Sequence, residues 1–322
     1  MSFRRHDIDA LVSHARQGQA RAVARLISLV EDGAPELRAL AAALARHTGR
    51  AQVVGITGAP GVGKSTSVSV LVTALRAAGK KVGVLAVDPS SPFSGGALLG
   101  DRVRMQNHAT DDGVFIRSMA TRGHLGGIAW ATPQALRVLD AAGCDVVLVE
   151  TVGVGQSEVE VVALADTTVV LLAPGMGDGI QAAKAGILEV ADVFVVNKAD
   201  REGSDQTVRE LKYMISLGRR GTAGPSWRPP IVRTVATTAE GADDLVRAIE
   251  EHRTWMLGHG ELEARRQRRA EAEVEAIALA QLRGKLGDVL RGSALHGLAK
   301  RVVVGELDVY RAADELIAEL GV

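Results

Sequence analysis

The chain has 322 residues, 47% hydrophobic and 24% charged, enough for one sizeable core with helical additions. Its 38 basic and 38 acidic residues cancel, which leaves no electrostatic footprint for a nucleic-acid partner. No run approaches the roughly 20 apolar residues of a membrane span, the N-terminal stretch has no apolar signal core, and the single cysteine, Cys144, precludes an intrachain disulfide, so the expected compartment is the cytoplasm.

From about residue 7 to 47 the pattern is helical. Leu11, Ala15, Ala22, Leu26 and Leu29 recur at helical spacing, and Gly33-Ala34-Pro35 breaks the run before an alanine-rich helix. From 52 to about 250, short apolar runs alternate with helical stretches. The runs at 53–57, 82–87, 114–116, 146–151, 168–172, 193–196 and 231–235 read as strands. Near-continuous apolar strands between helices predict an α/β domain, a mostly parallel sheet covered on both faces. The segment 221–230, with three prolines and Trp227, reads as an ordered loop. A long helix without proline follows over 261–290. Its Val274, Ile277, Ala278, Leu282 and Leu286 fall at helical spacing, which predicts one buried face. Residues 294–320 read as a small helical tail. The expected organisation is an N-terminal helical extension (1–50), a nucleotide-binding domain (51–252) and a C-terminal helical region (253–322).

The most specific local pattern is Gly58-Ala59-Pro60-Gly61-Val62-Gly63-Lys64-Ser65-Thr66, which fits G-x-x-x-x-G-K-[ST] between a strand and a helix. Strand, glycine loop and helix point backbone N–H groups and a helix N-terminus at one anion. This predicts a P-loop NTPase. Gly58, Gly61, Val62, Gly63, Lys64, Ser65 and Thr66 are its candidate phosphate-binding residues. Lys64, facing nucleotide or solvent rather than core, reaches the β- and γ-phosphates, and the Ser65 hydroxyl ligates Mg²⁺.

A second pattern, Asn197-Lys198-Ala199-Asp200, follows the apolar run Val193-Phe194-Val195-Val196. N-K-x-D after a strand is the guanine-reading signature of GTP-binding proteins. The Asp200 carboxylate accepts from the guanine N1–H and N2 amine together, a donor pair that adenine lacks. The Asn197 amide contacts the O6/N7 side, and the Lys198 stem lies over the ring.

A Mg-dependent nucleotide hydrolase needs further carboxylates. Asp88 ends a strand in VDPSSPFSGG, Asp101 follows in GALLGDRVRM, and Glu150 ends a strand in VLVETVGVGQSE. Small GTPases carry Asp-x-x-Gly at the last of these positions. Here Glu150-Thr151-Val152-Gly153 keeps a carboxylate near the metal and a Gly153 N–H for the γ-phosphate. Lys64, Asp88, Asp101 and Glu150 are therefore the candidate catalytic residues, and Ser65, Asp88, Asp101 and Glu150 the candidate metal site. After the strand at 168–172 comes Ala173-Pro174-Gly175-Met176-Gly177-Asp178-Gly179. Its three glycines in five residues permit large rearrangement, as in a nucleotide-dependent switch.

Together these residues resemble one family, the methylmalonyl-CoA mutase-associated GTPases, G proteins that escort adenosylcobalamin. The stretches GAPGVGKST, VLAVDPSSPFSGGALLGDRVRM, FIRSMATRGHLGG, VETVGVGQSE and APGMGDGIQAAKAGILEVADVFVVNKAD carry the resemblance, which runs from the N-terminal helices to the C-terminal tail. It implies Mg²⁺ with GTP or GDP in each protomer of a homodimer built through the C-terminal helices. It also implies an adenosylcobalamin-dependent acyl-CoA mutase as partner, with no nucleic acid or membrane involved. Gly175 to Lys184 then corresponds to the switch loop that senses the mutase. In one place the chain departs from the pattern. The second base-contacting loop usually carries Ser-Ala or Ser-Gly, and here Val235-Ala236 leaves only the backbone and Ala236 to serve. Two other readings stay open. One is a kinase acting on a transport-related protein, after the family's older label. The other is a nickel-insertion GTPase, which one cysteine and eight scattered histidines support poorly.

Overall fold

Strands apolar on both sides must be covered on both sides, and this chain does so with a sheet of parallel strands. The computed structural model describes residues 5–89, 108, 110–121, 131–151, 163–175, 190–218, 226–290 and 293–318. The strands are β1 (Gln52–Gly58), β2 (Val82–Pro89), β3 (Val114–Thr121), β4 (Val146–Thr151), β5 (Thr167–Leu172), β6 (Val193–Asn197) and β7 (Ile231–Thr234). They lie in the order β3-β2-β4-β1-β5-β6-β7. Every pairing is parallel. The mostly parallel α/β sheet read from the sequence is thus present. Strand β3 runs past the expected 114–116, because the polar Arg117, Ser118 and Thr121 continue its pairing with β2.

Ten helices lie among the described residues: α1 (Arg5–Arg16), α2 (Ala20–Glu31), α3 (Leu37–Leu44), α4 (Lys64–Ala77), α5 (Ala131–Ala141), α6 (Ser204–Gly218), α7 (Ala242–Gly258), α8 (Glu261–Leu290), α9 (Ser293–Val303) and α10 (Val309–Ala318). The chain divides into two compact units, Met1–Leu262 and Glu263–Val322.

In the first unit, Val53, Leu85, Val87, Val147 and Val149 point to one face of the sheet and join a core with Leu26, Ile27 and Leu44 of the N-terminal helices and Leu139 of α5. Val54, Ile56, Val84 and Leu148 point to the other face, against Val68 and Leu71 of α4 and Leu245 and Ile249 of α7. Helix α6 closes over Val170, Leu172, Phe194 and Val196. The Arg117 guanidinium, on β3, donates to the Ser28 hydroxyl at 3.1 Å and pairs with Glu31, which fastens α2 to the sheet.

Three aspartates stand immediately before strands and accept backbone N–H groups at the start of a neighbouring one. Asp145, before β4, accepts from Lys81 at 2.8 Å. Asp166, before β5, accepts from Val53 at 3.0 Å. Asp192, before β6, accepts from Thr168 at 2.8 Å. A carboxylate bonded to a backbone N–H is a charge-assisted contact, and the repeat fixes strand register along the amino edge of the sheet. The Asp192 carboxylate also meets the fully buried His252 Nε2 at 3.2 Å, and its backbone carbonyl accepts from the Trp227 indole at 2.7 Å.

A separate clip joins α4 to the approach to β3. The Arg76 guanidinium forks onto both oxygens of Asp111 at 2.9 Å and donates to the Lys80 carbonyl at 2.6 Å. Gly113 lies against that guanidinium, so a Cβ there would fall 2.1 Å from the Arg76 Cζ. Cys144 is half-buried, and burial pushes its thiol up to about 12, helped by the charges of Asp140 and Asp145. It is a packing residue, as its place before an apolar strand suggests.

In the second unit α9 packs on α10, with Leu298 and Leu316 buried and an Arg301–Glu315 ion pair at 2.6 Å. The α8 face expected to be buried is exposed within the chain: Val274 is 68% and Leu282 44% exposed. No helix among the described residues is long and apolar enough to cross a membrane.

Candidate functional site

The carboxyl ends of parallel strands are where an α/β sheet leaves room for a ligand. Here the ends of β1, β4, β6 and β7 carry the residues singled out above. Strand β1 runs into the glycine loop, and α4 begins at Lys64. Gly58 and Gly63 adopt φ of 146° and 95°. At Gly58 a Cβ would sit 2.3 Å from the Leu171 carbonyl oxygen, and at Gly63 2.5 Å from the Asn197 side-chain nitrogen. Both positions therefore need glycine for close approach as well as for backbone conformation.

Lys64 is not directed at solvent. Its side chain is buried, and its ammonium donates to the loop carbonyls of Gly58 at 2.6 Å and Ala59 at 3.2 Å. Of the two expected poses, nucleotide or solvent, solvent is not the one adopted: the loop curls around its own lysine and holds the charge within the glycine loop. The Ser65 hydroxyl donates to Glu150 Oε1 at 2.7 Å, and both residues are buried. Val62 is buried beneath the loop, while Gly61 and Thr66 are exposed along it. Donation to a carboxylate polarises the Ser65 oxygen toward a cation.

Two consecutive residues leaving β6 reach back to this loop. Asn197, buried, donates through Nδ2 to the Val62 carbonyl at 2.8 Å. Its Oδ1 accepts from the Thr234 hydroxyl and from the Ala236 N–H, each at 3.1 Å. Lys198, with a left-handed φ of 58°, donates from its ammonium to the Gly61 carbonyl at 2.7 Å. A non-glycine residue in that region is uncommon and clusters at functional sites. Asp200 follows, exposed at the mouth. Asn197 is thus chiefly a tie between the phosphate loop and the loop after β7. With Oδ1 taken by two protein donors, only its amide nitrogen is left to face a base.

The Ala236 N–H is likewise engaged by Asn197, and the next residue, Thr237, is exposed. Sequence reasoning missed Thr234. The signal for Thr234 was present, a polar residue closing an apolar strand in register with Asn197.

Asp88 is the penultimate residue of β2, which pairs with β4 two residues earlier, Ala86 beside Glu150, so its backbone stands at the same edge. Gly175 follows β5, exposed, with φ 81°. Asp101, Gly153, Met176, Gly177, Asp178, Gly179 and Lys184 lie outside the described residues. Among the described residues no group of three or more His, Cys, Asp or Glu side chains is placed to hold a metal.

A strand–glycine loop–helix unit at the carboxyl edge of a parallel sheet, with N-K-x-D after a neighbouring strand, defines the P-loop GTPase class. The family model of the methylmalonyl Co-A mutase-associated GTPase MeaB matches residues 23–288, and the chain belongs to that family. A Pyrococcus abyssi relative, named as a GTPase, is 48% identical over 313 residues, covering 97% of each chain. The GTPase ArgK of Escherichia coli is 37% identical over 264 residues, covering 80% of each. The mouse mitochondrial methylmalonic aciduria type A homolog is 37% identical over 275 residues, 81% of this chain and 66% of its own. Among solved structures, that of the LAO/AO transport system kinase superposes with a TM-score of 0.70 at 27% identity, covering 99% of each chain.

The Asn197 tie yields a test that does not depend on turnover. Asn197→Ala leaves a buried carbonyl and a buried N–H without partners, which costs about 1–3 kcal/mol. Urea unfolding of the nucleotide-free protein should show that loss. Unchanged stability would mean that the two loops are held together by other contacts.

Proposed function

We propose that this protein is a Mg²⁺-dependent GTPase switch that serves an adenosylcobalamin-dependent acyl-CoA mutase, gating cofactor loading and the removal of damaged cofactor. The observation that carries the reading is the joined site: Asn197 and Lys198 bind the guanine-reading turn directly onto the phosphate loop. Base identity is thereby linked to phosphate position. In this reading Gly58, Gly61, Val62, Gly63, Lys64, Ser65 and Thr66 hold the phosphates, Asp200 reads the guanine N1–H and N2 amine, and the loop after β7 serves the base through backbone beyond the Ala236 N–H, which Asn197 engages.

The donor set suits Mg²⁺, a hard cation that takes oxygen ligands and keeps several waters. Ser65 would hold it directly, Glu150 would orient Ser65 and a bound water, and Asp88 stands nearby with its backbone at the same edge. When bound, the ion neutralises charge developing on the β- and γ-phosphates. Lys64 contributes a fixed positive charge at the same place. Asp101, Gly153 and residues 175–184 complete the switch in this proposal. The family's mutase association and the name of the mouse relative support the partner. The name of the solved transport system kinase keeps phosphotransfer to a protein as a second reading. The two readings part on one measurement, incubation with γ-labelled GTP and a candidate mutase. Label released as phosphate, faster with mutase, is expected. Label retained on protein would overturn the switch.

The exposed apolar positions of the second unit, Val274, Leu282, Val303, Val309 and Tyr310 among them, support a homodimer made through these helices. Light scattering should give a dimer for the full chain and a monomer for a chain ended before Glu261. A shortened chain that stays dimeric removes these helices as the interface.

Guanine reading is tested by calorimetry. Wild type should bind GDP and GTP far more tightly than ADP and ATP, and Asp200→Asn should lose about 1.5–3 kcal/mol of guanine affinity, the size of a charge-assisted hydrogen bond. Equal affinity of the wild type for GTP and ATP would sink the assignment.

A further inference from the structure

A cleft of about 300 Å³ opens between the end of α4 and the second half of α7, at the amino edge of the sheet. This is the edge opposite the phosphate loop. Along α4, Leu75 stands about 15 Å from Ser65 at the helical rise per residue. The cleft therefore has no part in the nucleotide site. Its floor is aliphatic: Val54 and Leu148 from the sheet, Leu75 from α4, Ile249 from α7. At its rim stand Lys80 and Arg253, both half-buried, and the exposed Glu250. Among the described residues neither Lys80 nor Arg253 meets a carboxylate within ion-pair distance. The other polar group on the floor, the Gln52 amide, is occupied by Thr167 at 3.3 Å and by the Ile249 carbonyl at 3.5 Å.

Lys and Arg lay their stems along apolar surface and keep their charged heads at its rim, and two such cations beside one apolar hollow narrow the chemistry that would fill it. A neutral apolar ligand would leave both charges uncompensated, and a cationic one would meet repulsion. We infer that the cleft between α4 and α7 is a binding site for a free linear alkyl carboxylate, its tail on Val54, Leu75, Leu148 and Ile249 and its head group between Lys80 and Arg253. The volume is at the small end of ligand pockets and suits a chain of about eight carbons. The guanidinium supplies a fork that matches a carboxylate, and the lysine adds a second donor. The inference concerns a different edge of the sheet from the nucleotide and stands apart from the GTPase reading.

The test is methyl NMR of the full chain without nucleotide, titrated with octanoate, 1-octanol and octylamine. Octanoate should shift the methyl signals of Leu75, Leu148 and Ile249 saturably, at millimolar affinity or tighter. Arg253→Ala and Lys80→Ala should each weaken it about tenfold or more, the size of a lost charge-assisted contact. Either variant suffices if the other fails to fold. Val246→Phe, at the mouth of the cleft, should abolish the shifts while the rest of the spectrum stays dispersed. Octanol should bind more weakly, and octylamine should leave the signals unmoved. The inference is overturned if octanoate gives no saturable shift, if octanol binds as tightly, or if both charge variants bind octanoate like wild type. None of these results bears on GTP binding, so its failure and that of the GTPase reading are separable.

Discussion

Three hydrogen bonds to one buried amide hold this site together. Asn197 gives its nitrogen to the Val62 carbonyl and takes the Thr234 hydroxyl and the Ala236 N–H on its oxygen. The glycine loop after β1 and the loop after β7 come from strands separated by β5 and β6 in the sheet. Without a tie they would be independent segments, each adjusting to its own part of a ligand. With it, a displacement of one is felt by the other. Gly63 shows how close the fit is, since even a methyl group there would collide with the Asn197 nitrogen.

The tie needs a rigid base, and the parallel sheet provides it. Residues 145, 166 and 192 place an aspartate before three successive parallel strands, each closing a backbone N–H of a neighbour. The polar contacts that set register thus gather at the amino edge. The carboxyl edge is left to the residues that meet a ligand, the division expected of open α/β sheets. At the amino edge His252 also has Trp227 and Trp255 beside it, at ring distances of 4.9 and 6.4 Å.

Much of this was legible in the chain. The β-branched apolar runs before residues 58 and 197 announce buried parallel strands, and the glycine spacing around Lys64 announces the loop. Less visible was what the named groups do before a ligand arrives. The sequence places Lys64 at nucleotide or solvent because lysine is seldom buried, and does not show that the loop carbonyls solvate its charge. Asn197 looks like a base contact because the motif is named for one, yet its oxygen is taken by two donors, one from Thr234 and one from the Ala236 backbone. They lie 37 and 39 residues away, and only the polar Thr234 closing its apolar strand hints at the pairing. The β3 strand was under-read because Arg117 interrupts the apolar run, and Arg117 belongs there through its contacts with α2. On α8 the helical spacing of Val274 and Leu282 was real, but spacing does not say whether a face meets its own chain.

The Arg76 clip has a bearing on how this sequence can change over time. Gly113 is confined by its neighbour and not by its own dihedrals, for its backbone lies outside the left-handed region while the space beside it is filled by the guanidinium. A side chain at 113 would displace the Arg76 guanidinium from its clip, and meets no such conflict once 76 is short. Asp111 loses its forked partner in the same step. The three positions therefore form one heritable unit: in related chains a larger residue at 113 should travel with a smaller one at 76 and a relaxed requirement for acid at 111.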